Sequence, residues 1–216
     1  DDTDYTIRQL KFFGGVISEL EKVNFHNIIR HAAASGGTLL FPESHLDMVR
    51  IGMGLYGYWP SKECRMSDVE SRNSDIRPSA FGVRLQPVLA WKTVAGEVKE
   101  IPKGSYVGYD GTERVKRKSK IAGLPIGYWH GYDRGLSGMG RVLIRGHKAR
   151  ILGRISMDMT VVDVTGIPAV KIGDEALLSG RQANQMIWAD ELAENIGTTQ
   201  YEFLTRINPL IKRIAV

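Results

Sequence analysis

Hydrophobic positions in the first part of the chain fall at helical spacing. In TDYTIRQLKFFGGVISELEK, residues 3–22, Ile7, Leu10, Phe13 and Ile17 recur at steps of three and four and Leu20 follows. That spacing predicts a helix with one apolar face. Thr3 is its candidate N-cap, and the Gly14–Gly15 pair weakens it in the middle. NIIR, residues 27–30, is an apolar run of strand length, and HAAASGGT after it consists of residues that permit close backbone approach. DMVRIGMGLYG, residues 47–57, is a second strand candidate that ends in glycines. Helix, strand, small-residue turn, short helix and strand in that order predict βα alternation.

The pattern then changes. Residues 58–80 are mostly polar and contain Pro60 and Pro78, so they read as a linker or a long surface loop. From residue 81 the apolar runs are short and are separated by Gly and Pro: GVRLQPVLAWKTV, GEVKEI, SKIAGLPIGY, RVLIRGHKARILGRISMDMTVVDV and DEALLSG. Their spacing predicts an all-β barrel or sandwich. WADELAENIG, residues 188–197, is a helix with Leu192, Ala193 and Ile196 on one face and Gly197 at its C-cap. The fold class is therefore α/β plus all-β. An α/β piece of 57 residues is too small to close a barrel or a doubly wound sheet by itself.

Composition narrows the class without changing this division. The chain has 216 residues, 43% hydrophobic and 25% charged, which is ordinary globular usage. No apolar run approaches the ~18 residues of a membrane span, and DDTDY has no apolar core of a secretory signal. Cys64 is the one cysteine, so no internal disulfide forms, in keeping with a cytoplasmic setting. The net charge is +5, and RVKRKSK, residues 114–120, is the densest basic run. Without an aromatic platform beside it, this run fits a solvated loop or an attractor of small anions better than a nucleic-acid surface.

Several residues are candidates for chemistry. Ser35-Gly36-Gly37 and Gly52-Met53-Gly54 each follow a strand candidate, and such turns offer a hydroxyl and backbone N–H groups to a phosphate or serve simply as turns. Arg50 sits in an apolar strand candidate, where it either faces a polar ligand or points outward at the strand end. Tyr109 in VGYDGT, with Tyr128 and Tyr132 in IGYWHGYDR, are half-buried structural tyrosines or hold a general base. In GRISMDM, alternation puts Met157 and Met159 on one strand face and Ser156 and Asp158 on the other, and Arg154, Met157 and Asp158 lie close enough to line a polar pocket. His26, His31, His45, His130 and His147 show no metal-ligand spacing with one another or with Cys64, so no metal is expected.

HAAASGG, FPESHLDMVRIGMGLYG, VGYDGT, LPIGYWHGYDRGLS and GRISMDMTVVDVTG, in this order and spacing, closely resemble the C-terminal half of the alanine racemase family, from about residue 4 to 213. The resemblance implies a homodimeric pyridoxal 5'-phosphate enzyme, with an N-terminal (β/α)8 barrel and a C-terminal β-barrel domain. Residues 1–57 would be the last elements of the barrel, 58–80 a linker and 81–216 the β domain. Ser35, Gly52 and Met53 would bind the cofactor phosphate, and Arg50 the pyridine nitrogen. Tyr109 would be the catalytic tyrosine and reach into the partner subunit's barrel. Met157 would meet the substrate carboxylate, and Tyr128, Arg134, Arg154 and Asp158 would form the entryway. The implied reaction interconverts L- and D-alanine, for peptidoglycan synthesis in the cytoplasm. The cofactor is an electron sink, and one acid/base group is needed on each face of the α-carbon, a lysine and the tyrosine.

Departures from the family pattern set further expectations. No segment resembles the family's Schiff-base lysine motif, so the chain is expected to be a portion of the enzyme and inactive alone. His130 stands where the family usually has Asp, and Pro209 where some members place a phosphate-binding tyrosine. The alternatives are a racemase of another amino acid, such as serine or lysine, and a non-catalytic truncated dimerisation module.

Overall fold

Helix α1, Thr3–Lys22, forms as the spacing predicts, but its covered strip is narrower than expected. In this computed structural model, which describes residues 3–60, 77–78 and 84–215, Ile17 is buried and Leu10 and Phe13 are partly covered. Ile7 and Leu20, placed on the same face by the sequence, are exposed. A cleft of about 630 Å³ lies between α1 and the small-residue stretch, lined by Leu10, Phe13, Ala32, Ala33 and Gly37. The chain divides into two units, Asp1–Val88 and Leu89–Val216.

In the first unit, neither 27–30 nor 47–57 becomes a regular strand. The two extended segments run parallel and share one bridge, Ala34 to Arg50, with Asp47 N–H donating to the Arg30 carbonyl at 3.0 Å and Arg50 N–H to that of Ala33 at 2.9 Å. A fork holds the entrance of this pair. Asp47 accepts from Arg30 Nε at 2.7 Å, Arg30 Nη2 at 2.9 Å and the Arg30 N–H at 2.9 Å. Helix α2, Ser35–Leu40, connects the segments as a short crossover. The second segment ends early because Ser35 Oγ draws the chain into a 3-10 turn, Met53–Tyr56. Strands β1, Arg77–Pro78, and β2, Arg84–Leu85, pair antiparallel. Most of the proposed linker, 61–76 with 79 and 80, lies outside the described residues.

The second unit is antiparallel throughout. Its strands are β3 (Trp91–Val94), β4 (Glu97–Ile101), β5 (Tyr106–Val107), β6 (Glu113–Arg114), β7 (Ser119–Leu124), β8 (Arg141–Ile144), β9 (His147–Ile151), β10 (Thr160–Asp163), β11 (Glu175–Gln182) and β12 (Gln185–Ile187). The main sheet runs β12-β11-β8-β9-β10-β7-β4, with β3 on β11, and curls into a half-barrel. Among the described residues β4 pairs only with β7, so the ring stays open there, and Glu97, Lys99 and Glu100 charge that edge. The strands β7, β8 and β11 are buried almost end to end, whereas β9 and β10 alternate.

Helices α3 (Ala189–Asn195) and α4 (Gln200–Thr205) bury Leu192, Ala193, Phe203 and Leu204. Phe203 and Tyr132 each pack edge-on against Trp91, at 6.2 and 5.7 Å between ring centres. Gly197, at φ +69°, ends α3 with Thr198 N–H on the Ala193 carbonyl and Gly197 N–H on that of Glu194. That is the Schellman pairing, and it matches the stop read from the sequence. No helix among the described residues is long and apolar enough to cross a membrane.

Candidate active site

The hairpin β5–β6 lifts Tyr109 out of the second unit on the loop 108–112. Tyr109 is 66% exposed. Gly108, Asp110 and Gly111 all have positive φ, at 78°, 62° and 57°, a conformation that reverses the chain within a few residues. The loop leans on the segment after β9. A Cβ on Gly153, which itself has φ +66°, would stand 2.3 Å from the Val107 carbonyl oxygen, and one on Gly108 2.9 Å from the Arg154 nitrogen. The two backbones touch, and only glycines permit that. Arg154 then pairs with the Asp110 carboxylate.

A second turn abuts the same segment. Tyr128–His130 is a 3-10 turn whose Tyr128 N–H donates to the Ser156 carbonyl at 3.0 Å and whose Trp129 N–H donates to that of Met157 at 2.9 Å. Gly127 N–H donates to His130 Nδ1 at 3.2 Å, so His130 serves as the acceptor that closes the turn. Asn208 Nδ2 donates to the Trp129 carbonyl at 3.0 Å, which pins the segment around Pro209 to this turn.

Together these elements enclose a cleft of about 670 Å³, lined among others by Tyr109, Asp110, Tyr128, Asp133, Arg134 and Arg206. Three sequence-derived residues, Tyr109, Tyr128 and Arg134, thus share it, and Arg154 reaches its wall through Asp110. Met157 and Asp158 do not line it. The strand expected over 153–159 is instead a tight turn in which Ser156 N–H donates to the Met159 carbonyl at 2.9 Å. Residues 157, 158 and 159 are all exposed there, so alternation between two faces does not apply. Sequence reasoning missed Asp110, Asp133 and Arg206 as lining residues. Arg206 pairs with Asp133 at 3.1 Å and with Glu202 at 2.6 Å. The only local signal was an acidic residue placed directly after the tyrosine.

The three candidate tyrosines separate by environment. Tyr132 is fully buried, its hydroxyl has no hydrogen-bond partner among the described residues, and burial pushes its phenol well above the ordinary tyrosine range. It is a core residue. Tyr109 and Tyr128 are exposed to the cleft.

The first unit carries the other candidates. Ser35 is 4% exposed, and its Oγ accepts from Gly52 N–H at 3.0 Å and from Gly54 N–H at 3.3 Å. The Gly52 amide therefore orients the serine hydroxyl, and the hydroxyl's own proton is the one directed elsewhere. Met53 opens the 3-10 turn, so its N–H lacks an intrahelical acceptor. A buried, twice-anchored hydroxyl beside a free amide fits a phosphate oxygen. Arg50 is exposed and donates from Nη2 to the Ala32 carbonyl at 3.3 Å, and among the described residues the rest of its fork is available.

The fold and these sites define a protein assembled from βα elements and an antiparallel β domain that presents an exposed tyrosine. Comparison with known proteins makes the class specific. The family model for the alanine racemase C-terminal domain matches residues 88–215, and that for its N-terminal domain residues 1–60. The chain belongs to the alanine racemase family. It is 41% identical to alanine racemase of Leptospira interrogans over 212 residues, covering 98% of this chain and 53% of that protein. The Halothermothrix orenii alanine racemase is also 41% identical, over 98% of this chain and 52% of its own length. Among solved structures, alanine racemase from Bacillus anthracis with bound L-Ala-P superposes with a TM-score of 0.83 at 33% identity, covering 96% of this chain and 50% of that one. The Clostridium difficile 630 enzyme in complex with cycloserine gives 0.82 at 29%, with 96% and 50% covered. The chain spans about half the length of the curated relatives it matches.

Proposed function

We propose that this chain is the C-terminal part of a pyridoxal phosphate-dependent racemase that interconverts L- and D-alanine in the cytoplasm. In this reading residues 1–57 are the last elements of a (β/α)8 barrel, 58–80 a linker and 81–216 the β domain. Two copies of the whole protein form a dimer in which Tyr109 serves the partner's barrel. The observation that carries the reading is Tyr109 itself, an exposed phenol held at the tip of a braced loop over an open cleft.

When bound, pyridoxal phosphate withdraws electrons from the amino acid and acidifies its α-hydrogen. Tyr109 takes or returns that proton on one face of the α-carbon, and the family's lysine serves the other. The Ser35 hydroxyl and the Met53 N–H would hold the phosphate, whereas Gly52, expected to bind it as well, has its N–H on Ser35 Oγ and would orient the serine instead. Arg50 would hydrogen-bond the pyridine nitrogen. The Met157 N–H meets the substrate carboxylate, and Tyr128, Arg134, Arg154 and Asp158 shape the way in.

The test is racemisation by the full-length protein on a panel of L-amino acids, with Tyr109→Phe alongside. Alanine should be the preferred substrate, and the variant should lose on the order of 100-fold or more in kcat. Full activity of the variant removes Tyr109 as a base. Preference for serine or lysine redirects the substrate, and no activity on any member of the panel favours a non-catalytic module.

A further inference from the structure

We infer that Glu113 is a positioning residue for the Tyr109 phenol, acting with Arg150 and the Asp110–Arg154 pair to fix the loop that carries it. What the phenol does rests on the racemase reading; how it is held does not.

The loop 108–112 has little of its own to hold it. Three of its five residues are left-handed, one of them the non-glycine Asp110. Within it the Thr112 hydroxyl reaches the Tyr109 carbonyl only at 3.5 Å. Among the described residues, its side-chain anchors outside the hairpin come from residues 150–154. Arg150 Nη1 and Nη2 donate to the two carboxylate oxygens of Glu113 at 3.1 and 2.7 Å. Arg154 takes Asp110 in the middle of the loop.

The Glu113 pair differs from an ordinary surface bridge in two respects. The Glu113 side chain is 20% exposed, and the contact is a two-point fork, so geometry is fixed as well as charge. Arg150 is in turn anchored on β9, with a further contact from Nη1 to the Gly138 carbonyl at 3.4 Å. Glu113 follows the loop directly and opens β6, so its anchor sets where the loop leaves the hairpin. With one end tied at Glu113, the middle tied at Asp110 and the Val107–Gly153 contact at the start, the phenol projects from a loop fixed along its length. A general base gains from such restraint because misplacement by about 1 Å costs rate steeply.

The test uses full-length protein labelled with 3-fluorotyrosine, the Tyr109 signal being identified by its loss in Tyr109→Phe. In Glu113→Ala and Arg150→Met that signal should broaden or split, while the signal of buried Tyr132 keeps its shift. With L- and D-alanine, kcat should fall on the order of tenfold with KM held within about twofold. Deuterium at the α-carbon should then slow turnover more in the direction whose proton Tyr109 removes. Glu113→Gln, which keeps an acceptor for Arg150, should recover part of the loss. A pair that merely stabilises the hairpin would lower the melting temperature and leave the fluorine signal and the balance of isotope effects unchanged, and that result overturns the inference. Should Glu113→Ala fail to fold, Arg150→Met and Glu113→Gln decide by the same readouts. If Tyr109→Phe proves fully active, Tyr109 is not a base in the reaction, and the fluorine signal still decides whether Glu113 positions the phenol.

Discussion

Gly153→Ala is the sharpest perturbation of the tyrosine loop that does not touch the tyrosine. Two costs combine. Gly153 has φ +66°, and an alanine there bears a left-handed penalty of about 1–2 kcal/mol. Its Cβ would also stand 2.3 Å from the Val107 carbonyl oxygen, well inside contact, so the β5 strand end must move by roughly 1 Å. Overpacking of this kind adds about 1–3 kcal/mol. The sum, about 2–5 kcal/mol, corresponds to a fall in melting temperature of roughly 5–15 °C for a chain of this size. Gly197→Ala is the control, because Gly197 has φ +69° but nothing within 4 Å of its Cβ position. It should cost only the backbone part. Thermal unfolding followed by tryptophan fluorescence compares the two, since buried Trp91 reports on the β domain. Racemisation by the full-length protein should fall on the order of 100-fold in Gly153→Ala and hold in Gly197→Ala. Equal stability losses in the two variants would refute the claim that the two backbones are in contact at Gly153.

Three further outcomes follow from the same geometry. Tyr132→Phe removes a buried hydroxyl that has no hydrogen-bond partner among the described residues, so it should leave stability unchanged or raise it by about 1 kcal/mol, read from urea unfolding. Ser35→Ala strands the Gly52 and Gly54 amides and should cost roughly 1–3 kcal/mol, with faster hydrogen exchange at both amides even without cofactor. The Arg30 fork and N–H hold the Asp47 carboxyl down at about 2. Its contribution is therefore present above the unfolded carboxylate range and is lost as pH falls through about 2. Carboxyl NMR titration measures the value, and an ordinary midpoint would contradict the fork.

Period carried most of what the sequence revealed. The stop of α3 at Gly197 was legible because a glycine followed an apolar face at the right distance, and the structure shows the two carbonyl contacts that such a stop requires. The β texture after residue 81 was legible from turn spacing, but the half-barrel was not, because pairing order depends on contacts far apart in the chain. The strand read over 153–159 failed for a local reason. Period-2 alternation is also produced by a turn with exposed methionines, and the Gly127 and Ser156 backbones press together there. The strands expected at 27–30 and 47–57 did not form; the parallel bridge nearby joins Ala34, beyond the first run, to Arg50, and hydrogen bonding to Ser35 Oγ competes with a longer ladder. The pairs Asp110–Arg154 and Glu113–Arg150 join residues 44 and 37 apart, and no local pattern encodes such a separation. VGYDGT was recognisable as a motif, whereas the ion pairs that hold it were not.

The tyrosines show why recognition of a motif and physics of a site must be joined. Tyr109, Tyr128 and Tyr132 look alike as residues, and IGYWHGYDR places two of them four positions apart. Burial alone separates them. Tyr132 lies against Trp91 in the core with its phenol pushed up, so at neutral pH it neither gives nor takes a proton usefully. Tyr128 faces the cleft from a turn fixed on the Ser156 and Met157 carbonyls, which suits a wall residue. Tyr109 combines exposure with a loop that is clamped from one side only. A base that works on a substrate held by another subunit needs both properties. It must project beyond its own domain, and its orientation must be set before the partner arrives. On that argument the ion pairs behind Tyr109 matter as much to the proposed chemistry as the phenol in front of them.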